Sequence, residues 1–274
     1  MLGQYVTETR KKHPLIHCIT NYVTVNDVAN VILACGGSPI MADEADEVED
    51  ITAICQGLTL NIGTLNHRTV QSMLIAGKKA KSLGHPVVLD PVGAGASSLR
   101  TRAAAMILEE VEPEVIRGNI SEIRALANHS GKAKGVDADE KDAVDASNLD
   151  EVLAFLQAFA QKTGSVVAAT GATDLVCDGK NAYIIHNGRA EMSRITGTGC
   201  QLSGMTAAFA ASAPAEKRLE AVAAAVCTMG AAGEIAYGHL APYEGNATYA
   251  RRIIDAVNHM DEADLNKEAR YERR

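Results

Sequence analysis

The chain has 274 residues, 47% of them hydrophobic and 22% charged, enough apolar material for one large α/β domain or two smaller ones. A net charge of −8, no Trp and only 4% aromatic residues exclude the basic, aromatic-studded surface of a nucleic-acid binder. Any anionic ligand must be held by local groups and not by the overall field. The opening Met1-Leu2-Gly3-Gln4-Tyr5 leads into polar residues without the apolar stretch of a secretion signal. The longest uncharged stretch, 195–215, is interrupted by Gly197, Gly199, Gln201, Ser203 and Gly204. It reads as a turn plus a buried helix and not as a membrane span. Six scattered cysteines (Cys18, Cys35, Cys55, Cys177, Cys200, Cys227) with no Cys-x-x-Cys pair indicate reduced thiols in the cytoplasm and no metal cluster.

In chain order, Asn26-Asp27 can cap a helix over 26–35, which Gly36-Gly37 stops. Residues 38–41 are a short apolar strand, and the acidic run 43–50 opens the next helix. A strand over 58–62 precedes a helix over 67–83, whose Lys78, Lys79 and Lys81 lie at the negative end of its dipole. Pro86-Val87-Val88-Leu89-Asp90 is an apolar run ending in a carboxylate, as a buried parallel strand would be. A helix over 98–110, a strand over 115–117 and a helix over 121–128 follow. Polar residues 131–148 form a surface excursion that can serve as a lid. Beyond it come a helix over 149–163, a strand over 165–170 and a hairpin around Asp178-Gly179. Three helices, 200–213, 216–237 and 246–259, precede a charged tail, about 261–274, that is frayed or partly helical. Without repeats or linkers, the pattern predicts a single domain over 1–274 built on one mostly parallel sheet with helices on both faces.

Four strand ends carry chemistry. Ile195-Thr196-Gly197-Thr198-Gly199-Cys200 joins a glycine-rich turn to a helix start, where free N–H groups favour an anion. It is neither a Walker A loop nor a dinucleotide fingerprint, and a plain tight turn is the competing reading. Asp90, followed by Pro91-Val92-Gly93-Ala94-Gly95, ends a buried strand where open α/β sheets bind ligands. It can hold Mg²⁺ or simply cap the next turn. In Ile116-Arg117-Gly118-Asn119-Ile120-Ser121-Glu122, Arg117 can grip phosphate in a bidentate fork. Asn119 and Glu122 can order water around a magnesium ion, cap a helix, or both. Thr170, in Ala169-Thr170-Gly171-Ala172-Thr173-Asp174, can line a nucleotide pocket or merely enter a hairpin. Asn21 and Met41 are candidates for gripping a small ring, although a Met is more often core. A lone His17 is more often packed than catalytic. Complementary chemistry at four strand ends of one acidic chain favours phosphoryl transfer.

Six segments together strongly resemble the hydroxyethylthiazole kinase family of the ribokinase-like superfamily. They are His17-Cys18-Ile19-Thr20-Asn21-Tyr22-Val23-Thr24, Ser38-Pro39-Ile40-Met41-Ala42, Leu60-Asn61-Ile62-Gly63-Thr64-Leu65, Leu89-Asp90-Pro91-Val92-Gly93-Ala94-Gly95, Arg117-Gly118-Asn119-Ile120-Ser121-Glu122 and Thr196-Gly197-Thr198-Gly199-Cys200. The resemblance runs, in order, from about residue 11 to 259. It implies a single-domain ribokinase-like fold and ATP-dependent phosphorylation of the primary hydroxyl of 4-methyl-5-(2-hydroxyethyl)thiazole, a salvage step toward thiamine. It also implies Mg²⁺, ATP as co-substrate, no nucleic-acid or membrane partner, and a homotrimer with active sites between subunits.

By position, the resemblance makes Met41 and Gly197 thiazole contacts with Asn21 and Gly63 beside them. Arg117, Thr170 and Gly199 become nucleotide contacts, and Asp90 and Glu122 magnesium organisers. Cys200 stands where the wider superfamily usually has an Asp acting as base toward the substrate hydroxyl. A thiol is mostly neutral at pH 7, but phosphoryl transfer rests chiefly on positioning and charge stabilisation, so a weak base can suffice. Competing readings are a relative acting on hydroxymethylpyrimidine or pyridoxal, and a nucleotide-binding regulator without catalysis.

Overall fold

Apolar runs of four or five residues are too short to make buried helices, and they bury both faces when they pair as central strands. In the computed structural model, which describes residues 1–129 and 147–274, these runs build a nine-stranded sheet. The parallel strands are β1 (Leu15–Ile19), β2 (Ser38–Met41), β3 (Gly57–Asn61), β4 (Val87–Asp90), β5 (Val115–Asn119) and β6 (Val166–Thr170). Antiparallel β7 (Asp174–Cys177), β8 (Ala182–Ile185) and β9 (Tyr271–Arg273) extend it. The strand order is β2-β1-β3-β4-β5-β6-β7-β8-β9. The direction of winding therefore reverses at β1, and a crevice opens there at the carboxyl ends of the strands.

Alternation along the strands feeds two cores. Val88, Val115 and Ala168 face the first, with α1 (Gln4–Lys12), α2 (Val25–Ala34), α8 (Thr198–Ser212), α9 (Arg218–Gly238), α10 (Asn246–His259) and α11 (Glu262–Glu268). Leu89, Ile116 and Val167 face the second, with α3 (Val48–Ile54), α4 (His67–Leu83), α5 (Ser98–Val111), α6 (Ile120–His129) and α7 (Leu149–Thr163). Among the described residues one helical segment, Ala215–Gly238, is long and apolar enough to cross a membrane, and 83% of its apolar window is buried in this core. Local chemistry sets the helix ends. Asn66 accepts the Thr69 N–H at the start of α4, and Gly84, at φ +70°, stops it.

The structure departs from the sequence expectations at several boundaries. The helix expected from Asn26 begins at Val25, and no side chain caps it; the Thr24 hydroxyl instead donates to Asn21. The acidic run contributes only its last residues, since α3 starts at Val48. The expected excursion 131–148 lies, up to 146, outside the described residues. The tail takes the second of its two expected forms, partly helical, and adds a strand that was not expected. Asp261 and Asp264 form a reciprocal capping box for α11, and β9 then adds to the sheet edge.

Candidate active site

The parallel register brings the strand ends level: Cys18 faces Met41, Asn61 faces Asp90, and Asn119 faces Thr170. The N-terminus of α8 closes over them. Gly197 enters the helix at φ +93°, and a Cβ there would stand 2.4 Å from Thr24 Cγ2, so only glycine lets the turn lie on the loop after β1. Gly199 lies under the Arg117 guanidinium, whose nitrogen a Cβ there would approach to 2.6 Å and push aside.

Beneath this turn runs a chain of buried polar contacts. Thr24 donates through both N–H and hydroxyl to Asn21 Oδ1, each at 3.1 Å. The Asn21 amide donates to Asn61 Oδ1 at 2.9 Å and to Cys200 Sγ at 3.1 Å. Asn61 in turn donates to Asp90 Oδ2 at 2.7 Å and to Cys200 Sγ at 3.3 Å, and its Oδ1 receives the Gly63 N–H. Two amides thus fix where the sulphur sits. The Ser203 hydroxyl reaches the same Asp90 oxygen at 2.7 Å, with Arg117 Nη1 3.6 Å away.

Asp90 is fully buried, and its Oδ1 has no partner. Burial pushes its carboxyl pKa upward, against the opposing pull of Arg117 and of the Ser203 and Asn61 hydrogen bonds. Glu122 takes the capping role open to it in the sequence. Its Oε2 and the Asn119 side chain make a reciprocal cap, with Asn119 N–H donating at 2.9 Å and Glu122 N–H donating to Asn119 Oδ1 at 2.9 Å. Its Oε1 accepts from Gly93 N–H at 2.8 Å, which ties the loop after β4 to the start of α6. Arg100 on α5 ties that loop again, donating to the carbonyls of Ile62, Gly63 and Val92.

On the other side of Arg117 lies a cavity of about 570 Å³. Its polar end holds Arg117, Thr170, Thr198 and Gly199; Leu202, Val226 and Met229 make the opposite wall apolar. Arg117 Nη2 donates to Thr170 Oγ1 at 2.7 Å, so these two form the threshold between cavity and cluster. Of the sequence-predicted residues, Asn21, Gly63, Asp90, Glu122, Arg117, Thr170, Gly197, Gly199 and Cys200 are gathered here. Met41 stands apart at the end of the edge strand β2, 36% exposed and joined to the cluster by no hydrogen bond. Asn61 and Ser203 were not singled out by the sequence. An amide closing a fully buried strand, and a serine one turn after Gly199, are the signals that could have found them.

A profile of the hydroxyethylthiazole kinase family matches residues 6–263. The chain belongs to the hydroxyethylthiazole kinase family. The hydroxyethylthiazole kinase of Clostridium acetobutylicum is 55% identical over 272 residues, 99% of each chain. The structure of the family's protein from Pyrococcus horikoshii superposes with a TM-score of 0.88 at 33% identity, covering 100% of this chain and 98% of that one. A ribokinase-like superfamily protein of Enterococcus faecalis, 14% identical, shares the fold with a TM-score of 0.63, covering 97% of this chain and 89% of that one. The Pyrococcus and Enterococcus proteins thus share this chain's fold.

Proposed function

We propose that the turn 197–200 and the cluster beneath it transfer the γ-phosphoryl group of ATP to the primary hydroxyl of 4-methyl-5-(2-hydroxyethyl)thiazole. Membership of the hydroxyethylthiazole kinase family makes the chain a kinase acting on the thiazole alcohol in thiamine biosynthesis, with ATP as co-substrate. The observation that carries the assignment is the position of Arg117, between the cavity wall at Thr170 and the Asp90–Asn61–Cys200 cluster. A nucleotide in the cavity would direct its phosphates at Arg117 and the open N–H groups of α8, and the alcohol would wait at Cys200.

In the reaction the alcohol oxygen forms a bond to the γ-phosphorus, the bond from that phosphorus to the β-bridging oxygen breaks, and ADP leaves. The hydroxyl proton passes to the Cys200 sulphur in its thiolate form, giving the neutral thiol; two amide N–H donors hold that sulphur in place. Gly197 lets the backbone of the turn approach the thiazole, with Asn21 and Gly63 as neighbours. Met41, apart from the cluster within one chain, would reach the thiazole only from the sheet edge.

The acid pair fits Mg²⁺. Asp90 presents a buried oxygen without a partner, and Glu122 lies close enough to raise the Asp90 pKa. Among the described residues no group of three or more His, Cys, Asp or Glu side chains could cage an ion. One or two carboxylates plus substrate phosphates is the usual way Mg²⁺ is held. When bound, Mg²⁺ would neutralise charge on the β- and γ-phosphates. Apolar side chains beside the thiazole end, Tyr22 at 63% and Val23 at 67% exposure, are the surface a neighbouring subunit of a homotrimer would cover. The chain works in the cytoplasm, where its thiols stay reduced.

Cys200 variants test the assignment. If the sulphur acts as a weak base, Cys200→Ala lowers kcat by roughly 10–100-fold, below the full range of a strong general base, and Cys200→Asp keeps or exceeds the wild-type rate. Total loss in both variants would require an obligatory thiolate, and an unchanged kcat in Cys200→Ala would remove the residue from the reaction.

A further inference from the structure

The far wall of the cavity, Asn187-Gly188-Arg189, belongs to no strand or α-helix, yet it is held from both sides. On one side α9 presses against it through glycines. A Cβ at Gly230 would stand 2.6 Å from Asn187 Cβ, and one at Gly233 would stand 2.3 Å from Met192 Sδ. On the other side lies the segment between α11 and β9. Asn187 is buried, and its side chain continues the β8–β9 ladder by one further pair. Its Nδ2 donates to the Glu268 carbonyl at 2.8 Å, and its Oδ1 accepts the Arg270 N–H at 2.7 Å.

Glu234 on α9 joins the two sides. Its Oε1 accepts the Gly188 N–H at 2.6 Å, and both of its oxygens meet the Arg270 guanidinium, at 2.6 and 2.8 Å. Arg270 also donates to the His186 carbonyl at 3.0 Å. Burial pushes the Glu234 carboxyl upward, but Arg270 and these hydrogen bonds together outweigh it and hold the carboxyl below its usual range. Gly188 itself sits at φ +111°, a conformation other residues rarely adopt, and from it donates its N–H to Glu234.

We propose that the C-terminal arm, through Arg270, Glu234 and Asn187, is a positioning device that sets affinity for the nucleotide. Neither Arg270 nor Glu234 lines the cavity. The arm fixes a wall of the cavity that lacks regular structure, while no hydrogen bond among the described residues joins it to the thiazole side, built on the ends of β1 and β3. Loosening the arm therefore changes the nucleotide half of the reaction alone. This rests on the cavity being the nucleotide site, so Thr170→Val, which alters the cavity directly, is measured in parallel.

The experiment uses steady-state kinetics on the full chain, with KM for ATP and KM for the thiazole alcohol determined separately for wild type, Arg270→Ala, Arg270→Lys, Glu234→Gln and Thr170→Val. Arg270→Ala should raise KM for ATP about ten-fold, equivalent to about 1.4 kcal/mol, with KM for the alcohol within two-fold of wild type. Arg270→Lys keeps the charge without the fork, so it should recover part of the effect. Glu234→Gln, which retains the acceptor for Gly188, should shift KM in the same direction and keeps the test open if Arg270→Ala fails to fold. Equal rises in both KM values, or no rise for ATP in folded arm variants while Thr170→Val shows one, would overturn the role of the arm. No rise in any variant, Thr170→Val included, would overturn the assignment of the cavity as well.

Discussion

Replacing Gly197 by Ala strikes the turn where backbone and site meet. The residue sits at φ +93°, where an L side chain costs about 1–2 kcal/mol. Its new Cβ would also stand 2.4 Å from Thr24 Cγ2 and 3.0 Å from Thr24 Cβ. Overpacking of that kind adds roughly 1–3 kcal/mol. For a domain of this size each kcal/mol lowers Tm by about 2–4 °C, so a fall of about 5–15 °C is expected. The pressure on Thr24 passes to Asn21, which shares its amide with Cys200, so kcat should fall too. Thr24→Ser removes the clashing methyl but keeps the hydroxyl bond to Asn21. The double variant should therefore regain the packing part of the loss and not the backbone part, leaving a deficit of about 1–2 kcal/mol. Thermal melts and initial rates of the four proteins in this cycle measure both effects. A Gly197→Ala protein with wild-type Tm and kcat, or a double variant no better than the single, would refute the reasoning.

Asp174 gives a pH test. Burial pushes its carboxyl from 3.8 up to about 6, although the Gly171 N–H and Arg117 pull the other way. The folded protein then binds this proton more tightly than the unfolded chain, so the contribution to stability is complete below about 4 and is lost as pH rises toward about 6. Melts from pH 4 to 7 should show Asp174→Asn, whose oxygen can still accept from Gly171, losing that slope; an identical slope would assign it to other groups. For the trimer, sedimentation should give three times the chain mass for wild type. A smaller, poorly active species is expected for Tyr22→Asp with Val23→Asp, and an active wild-type monomer would end the shared-site reading.

Elements whose signals are local were legible in the sequence. The helix from His67 to Leu83 matches its expected range, since its apolar spacing, an asparagine before it and a glycine after it all act within a few residues. Leu149–Thr163 and Asn246–His259 match their expected ranges as well. β9 was not legible, because Tyr271–Arg273 is exposed throughout and carries no alternation; only its pairing with β8 makes it a strand. Nor was α1, a polar segment whose buried face shows only Tyr5, Val6 and Thr9. In the site, strand-end acids and glycines could be named one by one because each follows an apolar run. What joins them could not. Asn61 bridges Asn21, Asp90 and Cys200 only after parallel pairing sets three distant segments level. Glu122 looked equally suited to a cap and to a metal, and its geometry shows the cap fully formed while the lone oxygen of Asp90 remains without a partner.

The central claim is that this chain phosphorylates the thiazole alcohol at the expense of Mg-ATP. Purified protein should be supplied with Mg-ATP and, separately, with 4-methyl-5-(2-hydroxyethyl)thiazole, hydroxymethylpyrimidine and pyridoxal, with ADP and the phosphorylated product quantified together. Stoichiometric ADP and thiazole phosphate, with far slower turnover of the other two alcohols, is the predicted result. Binding of ATP without turnover of the thiazole, or a clear preference for pyridoxal or hydroxymethylpyrimidine, would contradict it.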